Sequence, residues 1–232
     1  MTWKAHLIGG AQAGLLTIAA LKCGSDYTET LIVGSSAVLG SLLSDLDQPK
    51  SKLSRSDVFV GLISHLTAKF TKHRGFTHTV PGAALFGGIF YLLSMLQGGG
   101  AEGLYAFFAA LAVFVILHAS DSPIKPLAGC ISAAIYLSGP QIAGLITESG
   151  LSVDLGRRSA MLCALGVFAG SLSHIWYDFF NKGGVPLLWP ISKKNYRLME
   201  IKTNTAGEFW FITVQIIIMG LMFAGAGVGM FT

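Results

Sequence analysis

"AEGLYAFFAALAVFVILHA", residues 101–119, carries no charge between Glu102 and His118. A helix that crosses a bilayer needs about 20 consecutive apolar residues, and this run supplies them without a Gly or Pro turn signal after Gly103. A membrane β-barrel would alternate apolar and polar positions over roughly ten-residue segments, and this run does not. Outward from it the same character holds: the chain of 232 residues is 52% hydrophobic and 12% charged, about half the charged share of a soluble domain. Its mean hydropathy is +0.62. The 29 glycines suit membrane helices, where Gly is tolerated and small residues allow close packing. The expected fold class is all-α: a polytopic transmembrane helical bundle forming one integral membrane domain over residues 1–232.

Apolar runs of spanning character lie at 6–21, 31–46, 80–96, 103–119, 127–147, 160–181 and 209–231, about seven spans. The mixed stretch 58–70 is too short to span and reads as an interfacial or packed helix. "MTWK" followed by "HLIGGAQAGLLTIAAL" has the charge and length of a signal peptide but no closing small-x-small site, so it reads as an uncleaved first helix. With seven alternating spans, every Lys and Arg except Lys22, Arg157 and Arg158 falls on the side of the N-terminus. The positive-inside rule places that side in the cytoplasm. The same bias accounts for the net charge of +4, so no nucleic-acid partner is expected. Cys23, Cys130 and Cys163 show no C-x-x-C pair and read as packing thiols.

The same alternation collects the polar chemistry at the cytoplasmic end. "LLSDLDQPKS" (42–51) closes the second span with Asp45 and Asp47, although a helix C-terminus disfavours carboxylates. "KHRGFTHT" (72–79) holds His73 and His78 around Arg74, with Gly75 permitting a turn. Arg74 suits a phosphate or carboxylate. "SHIWYDFFNKGGVPLLWP" (173–190) puts His174 and Asp178 four apart on one helix face. Either both bind metal, or Asp178 orients His174 from behind. Trp189 reads as an interfacial anchor. His6 starts the first span. His118, Asp121 and His65 read as loop, surface or packing residues. H-E-x-x-H, G-x-S-x-G and Walker A sequences are absent, which removes zincin, serine-hydrolase and P-loop readings in their usual forms.

Taken in order, His6, "LLSDLDQPKS", "HRGFTHT" and "SHIWYD…GGVPLLWP" resemble the membrane-bound metal-dependent hydrolase family of the YdjM type, LexA-regulated proteins of the bacterial inner membrane. Gln48 stands where that family commonly has His, and Ser44 where it commonly has Pro. The resemblance implies a divalent-metal site of His6, Asp45, Asp47, His73, His78, His174 and Asp178. A mixed His/Asp set suits Zn or Mn, one or two ions. It also implies hydrolysis at the cytoplasmic membrane interface by metal-activated water. Asp178 or Asp47 would take the proton, and Arg74 would steady the scissile group's charge. The expected substrate is an anionic, phosphoester-containing membrane lipid, drawn by Lys50, Lys52, Lys193 and Lys194. Two rivals predict different things. A metal-ion or proton-coupled transporter needs ionisable groups near the midplane and paired broken helices. A non-enzymatic protein with a structural metal needs a closed ligand set.

Overall fold

The computed structural model describes residues 1–49, 58–70, 74–95, 127–138 and 157–229. Seven α-helices fall within them: α1 (Trp3–Leu21), α2 (Tyr27–Leu43), α3 (Val58–Phe70), α4 (Val80–Met95), α5 (Ala128–Leu137), α6 (Arg157–Phe179) and α7 (Ala206–Gly229). The expected run 103–119 and the second half of 127–147 lie outside the described residues, as do His73, His118, Asp121, Lys50 and Lys52. Among the described residues three stretches are long and apolar enough to cross a membrane: Glu29–Asp47, Arg157–Phe179 and Ala206–Ala224. Val80–Ser94 is apolar but shorter. The chain divides into two compact units, Met1–Ser44 with Arg74–Gly88 and Leu162–Thr232, and Asp45–His73 with Ile89–Met161.

In the first unit, glycines set the helix spacing. α1 and α2 form an antiparallel hairpin turned at Lys22, whose φ of 53° closes α1 in the left-handed region. Gly10 of α1 faces Ser41 and Val38, and Gly14 faces Gly34 and Ala37. α2 and α6 run parallel and closer still. A Cβ on Gly40 would run into the Val167 carbonyl, one on Gly170 into the Ala37 carbonyl, and one on Gly166 into the Ser36 hydroxyl. The "GVFAG" pattern at 166–170 is therefore an α2 contact face, as small-x-x-x-small patterns are. Ser171 adds a hydrogen bond to the Gly40 carbonyl at 3.1 Å.

α4 starts with a sequence-coded cap. The Thr79 hydroxyl accepts the Gly82 N–H at 3.1 Å, an N-cap bond, and Pro81 sits in the first turn where no N–H is needed. α7 starts at Thr205-x-x-Glu208, the spacing of a capping box. The buried Glu208 carboxylate accepts the Asn204 N–H at 2.7 Å and, across to α1, the Thr2 N–H at 2.5 Å. Lower down, the Tyr177 hydroxyl donates to Gln12 Oε1 at 2.6 Å, and Gln12 Nε2 donates to the Gln215 carbonyl at 2.7 Å, joining α6, α1 and α7. Otherwise α7 is apolar all round and largely exposed, with Trp210 and Leu221 at 64% and 68%. An apolar surface of that kind belongs in lipid. α1, α4 and α7 start at one common end, and α2 and α6 finish there. That is the alternation the seven-span reading requires of these five.

Between α6 and α7 the chain folds back on itself through two backbone bridges, Asn181 with Ile201 and Val185 with Tyr196. Val185 packs with Ala83 and Ile175. The second unit packs α3 against α5, and α3 leaves Leu62, Leu66 and His65 exposed. Cys23 and Cys163 are buried, but Cys130 is exposed and so is not a packing thiol.

Candidate metal centre

The helix ends of the first unit gather three imidazoles around one carboxylate. His6 comes from the first turns of α1, His78 from a short 3-10 turn (Phe76–His78) before α4, and His174 and Asp178 from the last turns of α6. All four are buried. His6 Nε2 lies 3.6 Å from Asp178 Oδ1, while His78 Nε2 and His174 Nε2 lie 3.8 and 3.9 Å from Oδ2. The His6 and His174 rings stack with centroids 3.6 Å apart and planes 11° apart, and His78 meets His174 edge-on at 5.0 Å. Two imidazolium cations at that stacking distance would repel by on the order of 4 kcal/mol at an effective dielectric of about 20. The stack suits neutral rings.

One contact sets the chemistry. His174 Nδ1 lies 2.7 Å from the Ser41 carbonyl oxygen. A carbonyl only accepts, so Nδ1 carries the hydrogen. In a neutral ring, Nε2 then presents its lone pair toward Asp178. This backbone–histidine bond is the outer contact that fixes a metal-binding tautomer. The residue behind His174 is therefore Ser41, and Asp178 faces its ligand edge. Behind His78, Nδ1 meets the Thr77 hydroxyl at 3.1 Å. His6 Nδ1 is buried without a hydrogen-bond partner among the described residues.

Arg74 closes the carboxylate side. Its Nη2 lies 3.0 Å from Asp178 Oδ2 and its Nη1 donates to the Gly184 carbonyl at 2.8 Å. Gly183 is bare beside it: a Cβ there would overlap the guanidinium. The fork joins the end of α6 to the 181–201 connection. Arg74 itself takes the left-handed φ of 59°, a conformation that costs a non-Gly residue of order 1–3 kcal/mol. Gly75 follows and leads into the 3-10 turn Phe76–His78. The turn expected at Gly75 thus uses both residues. The Met1 nitrogen also donates to Asp178 Oδ1, at 2.7 Å.

The model of the YdjM inner membrane protein family matches residues 1–231. The chain belongs to that family. Neither a curated protein nor a solved structure matches it significantly. With its apolar helices, family membership makes this an inner-membrane protein of bacteria. The structure brings together His6, His78, His174, Asp178 and Arg74 of the expected site. Asp45 and Asp47 occupy a 3-10 turn (Ser44–Asp47) that prolongs α2, Asp47 buried and Asp45 half-buried, and belong to the second unit. His73 lies outside the described residues. Trp189, expected as an interfacial anchor, packs its ring edge-on against Phe76 at 5.1 Å, two residues before His78. Sequence reasoning missed Ser41, Thr77 and Gly184. Ser41 and Gly184 act through backbone carbonyls, which leave no trace in side-chain patterns.

Within this cluster His78, His174 and Asp178 offer one donor atom each, all within 4.8 Å of one another. Donors around a tetrahedral zinc with ligand distances near 2.05 Å stand about 3.3 Å apart. The histidine-to-carboxylate distances, 3.8 and 3.9 Å, stand about 0.5 Å above that standard, and no donor pair of the three exceeds 4.8 Å. Buried nitrogen and carboxylate donors with a preset tautomer fit a divalent ion.

Proposed function

We propose that this YdjM-family protein is a membrane-embedded, metal-dependent hydrolase, seven spans with a cytoplasmic N-terminus, acting at the cytoplasmic interface on a phosphoester-containing lipid. The observation that carries the metal reading is the Ser41–His174 bond. It turns a lone pair, rather than an N–H, toward Asp178, so that donor atoms of His78, His174 and Asp178 face one another beside the Arg74 and Met1 contacts to the carboxylate. His78, His174 and Asp178 would hold that ion, with His6 stacked beside them. Asp45, Asp47 and His73 stay in the ligand set on their sequence motifs. Zn or Mn suits the donors. When bound, such an ion supplies Lewis acidity and acidifies a water molecule. With Asp178 on the ion, Asp47 would take the proton; with Asp178 outside the ligand set, Asp178 would. Arg74 positions Asp178, and a substrate anion would share its guanidinium. The buried site at the helix ends would exclude bulk water and favour headgroup-depth chemistry.

The test is release of phosphate or headgroup from lipid nanodiscs by the full chain loaded with Zn or Mn. A rate that falls at least about a hundredfold in His78→Ala and in Asp178→Asn, the usual scale for removing acid–base or metal-held chemistry, supports the reading. Metal-loaded wild type with no turnover on lipid phosphoesters, or turnover unchanged in the variants, overturns it.

A further inference from the structure

The connection between α6 and α7 has a role the metal chemistry does not use. α6 and α7 both contain a stretch long and apolar enough to cross a bilayer, so residues 180–205 sit at one membrane face. A hydrophilic loop would be the ordinary solution there. This one is held by backbone bonds, and its tip, residues 187–191, is apolar on its outside. Backbone bonds between Val185 and Tyr196, 2.9 and 2.8 Å, close it into a narrow loop, and the Lys182 N–H donates to the Ile201 carbonyl at 3.1 Å. At its tip Leu188 is 51% and Ile191 92% exposed. Moving that isoleucine from water into an apolar phase would gain roughly 1.5–3 kcal/mol. Two and three positions beyond it come Lys193 and Lys194, both exposed. The sole acid of 180–205, Glu200, is paired with Arg197 at 2.5 Å, so it does not offset those lysines.

Apolar tip, adjacent cations and a location fixed by two spans are the three marks of a surface that beds into anionic lipid. We propose that residues 187–194 form a membrane-docking platform for an anionic bilayer. Leu188 and Ile191 enter the boundary between headgroups and acyl chains, and Lys193 and Lys194 take the lipid phosphates. The platform is not loosely hung. Trp189 rests on Phe76 beside His78, and Arg74 ties the base of the loop, at Gly184, to Asp178. Lipid held there lies against the elements that carry the histidine cluster. The docking itself stands whether or not that cluster holds a metal.

The experiment places an environment-sensitive NBD label on Ile191→Cys in a Cys130→Ser background, with the full chain in nanodiscs of phosphatidylcholine alone or mixed with phosphatidylglycerol. Expected are blue-shifted emission and protection from aqueous iodide, stronger with phosphatidylglycerol. In Lys193→Gln/Lys194→Gln, the preference for phosphatidylglycerol among lipids retained by the protein should fall about fivefold per lysine, from roughly 1 kcal/mol each. Both lysines are exposed, so folding is not at issue. A label quenched like free dye in both lipids, or a lipid preference unchanged by the substitutions, overturns the proposal. So does a label that is shielded only when soluble protein is added, which would assign the tip to a protein partner.

Discussion

Removing the guanidinium of Arg74 tests how the site is held together. Asp178 is 3% exposed at its side chain and Arg74 15%. Breaking a fully buried pair by deleting one partner costs about 3–5 kcal/mol, because a charge is left without compensation. Two features lower that here. The arginine is partly wet, and the Met1 nitrogen also donates to Asp178. Arg74→Ala should therefore destabilise by about 2–3 kcal/mol, and relief of the left-handed backbone does not offset it because Ala is as strained there as Arg. Arg74→Lys should lose about half as much, since one ammonium cannot span both Asp178 and the Gly184 carbonyl. At about 2–4 °C per kcal/mol for a chain of this size, the alanine variant should melt about 4–12 °C lower. Cys23 and Cys163 are buried and Cys130 exposed, so a thiol-reactive dye on Cys130→Ser protein in detergent reports unfolding directly. In an Asp178→Asn background the same Arg74→Ala change should cost only about 1 kcal/mol, the worth of the remaining Gly184 bond. An undiminished cost in that background would show that the pair is not what holds Arg74, and the reasoning would fall.

Further expectations follow from the same contacts. Gly183→Ala should push the Arg74 fork off Asp178 and lower the melting temperature, yet be nearly silent once Arg74 is already alanine; a double variant melting well below Arg74→Ala would contradict this. Gly170→Ala puts a methyl into the Ala37 backbone and should cost at least about 1–3 kcal/mol, whereas Gly34→Ala, with nothing within 4 Å of its Cβ, should be tolerated or mildly stabilising. Equal melting of the two variants would refute the proposed α2–α6 contact. Tyr177→Phe removes a 2.6 Å bond to Gln12 and should cost about 0.6–1.7 kcal/mol, the range for interhelical bonds in membranes, as read by the same dye assay.

Much of this arrangement is legible in the residues. Long apolar runs give α6 and α7, the four-residue spacing of His174 and Asp178 puts both on one face, and the span alternation sends His6, His78 and His174 to one end. Other parts have no residue-level signal. Nothing in "GSLLS" announces that the Ser41 carbonyl will choose the His174 tautomer, because every residue carries that carbonyl. Gly183 reads as a helix breaker, but that its missing Cβ admits the Arg74 fork depends on a neighbour 109 positions away, near the 110-residue separation of Arg74 and Gly184. Arg74 reads as an anion clamp by its chemistry. Its bonding to Asp178 and Gly184 is a matter of packing, as is the seating of Trp189 on Phe76. Small-x-x-x-small patterns flag close helices without naming the partner, and for Gly166 and Gly170 the partner is α2.

The central claim is a metal held by His78, His174 and Asp178, and elemental mass spectrometry of detergent-purified protein tests it most directly. Wild type reconstituted with Zn or Mn should carry about one or two ions per chain after exhaustive dialysis, the number expected of the mixed His/Asp set. His174→Ala should lose them while keeping its dye-reported unfolding transition. A metal-free wild type after reconstitution with both ions, or undiminished metal in folded His174→Ala, would contradict the account and leave the histidine cluster as a set of helix-joining contacts.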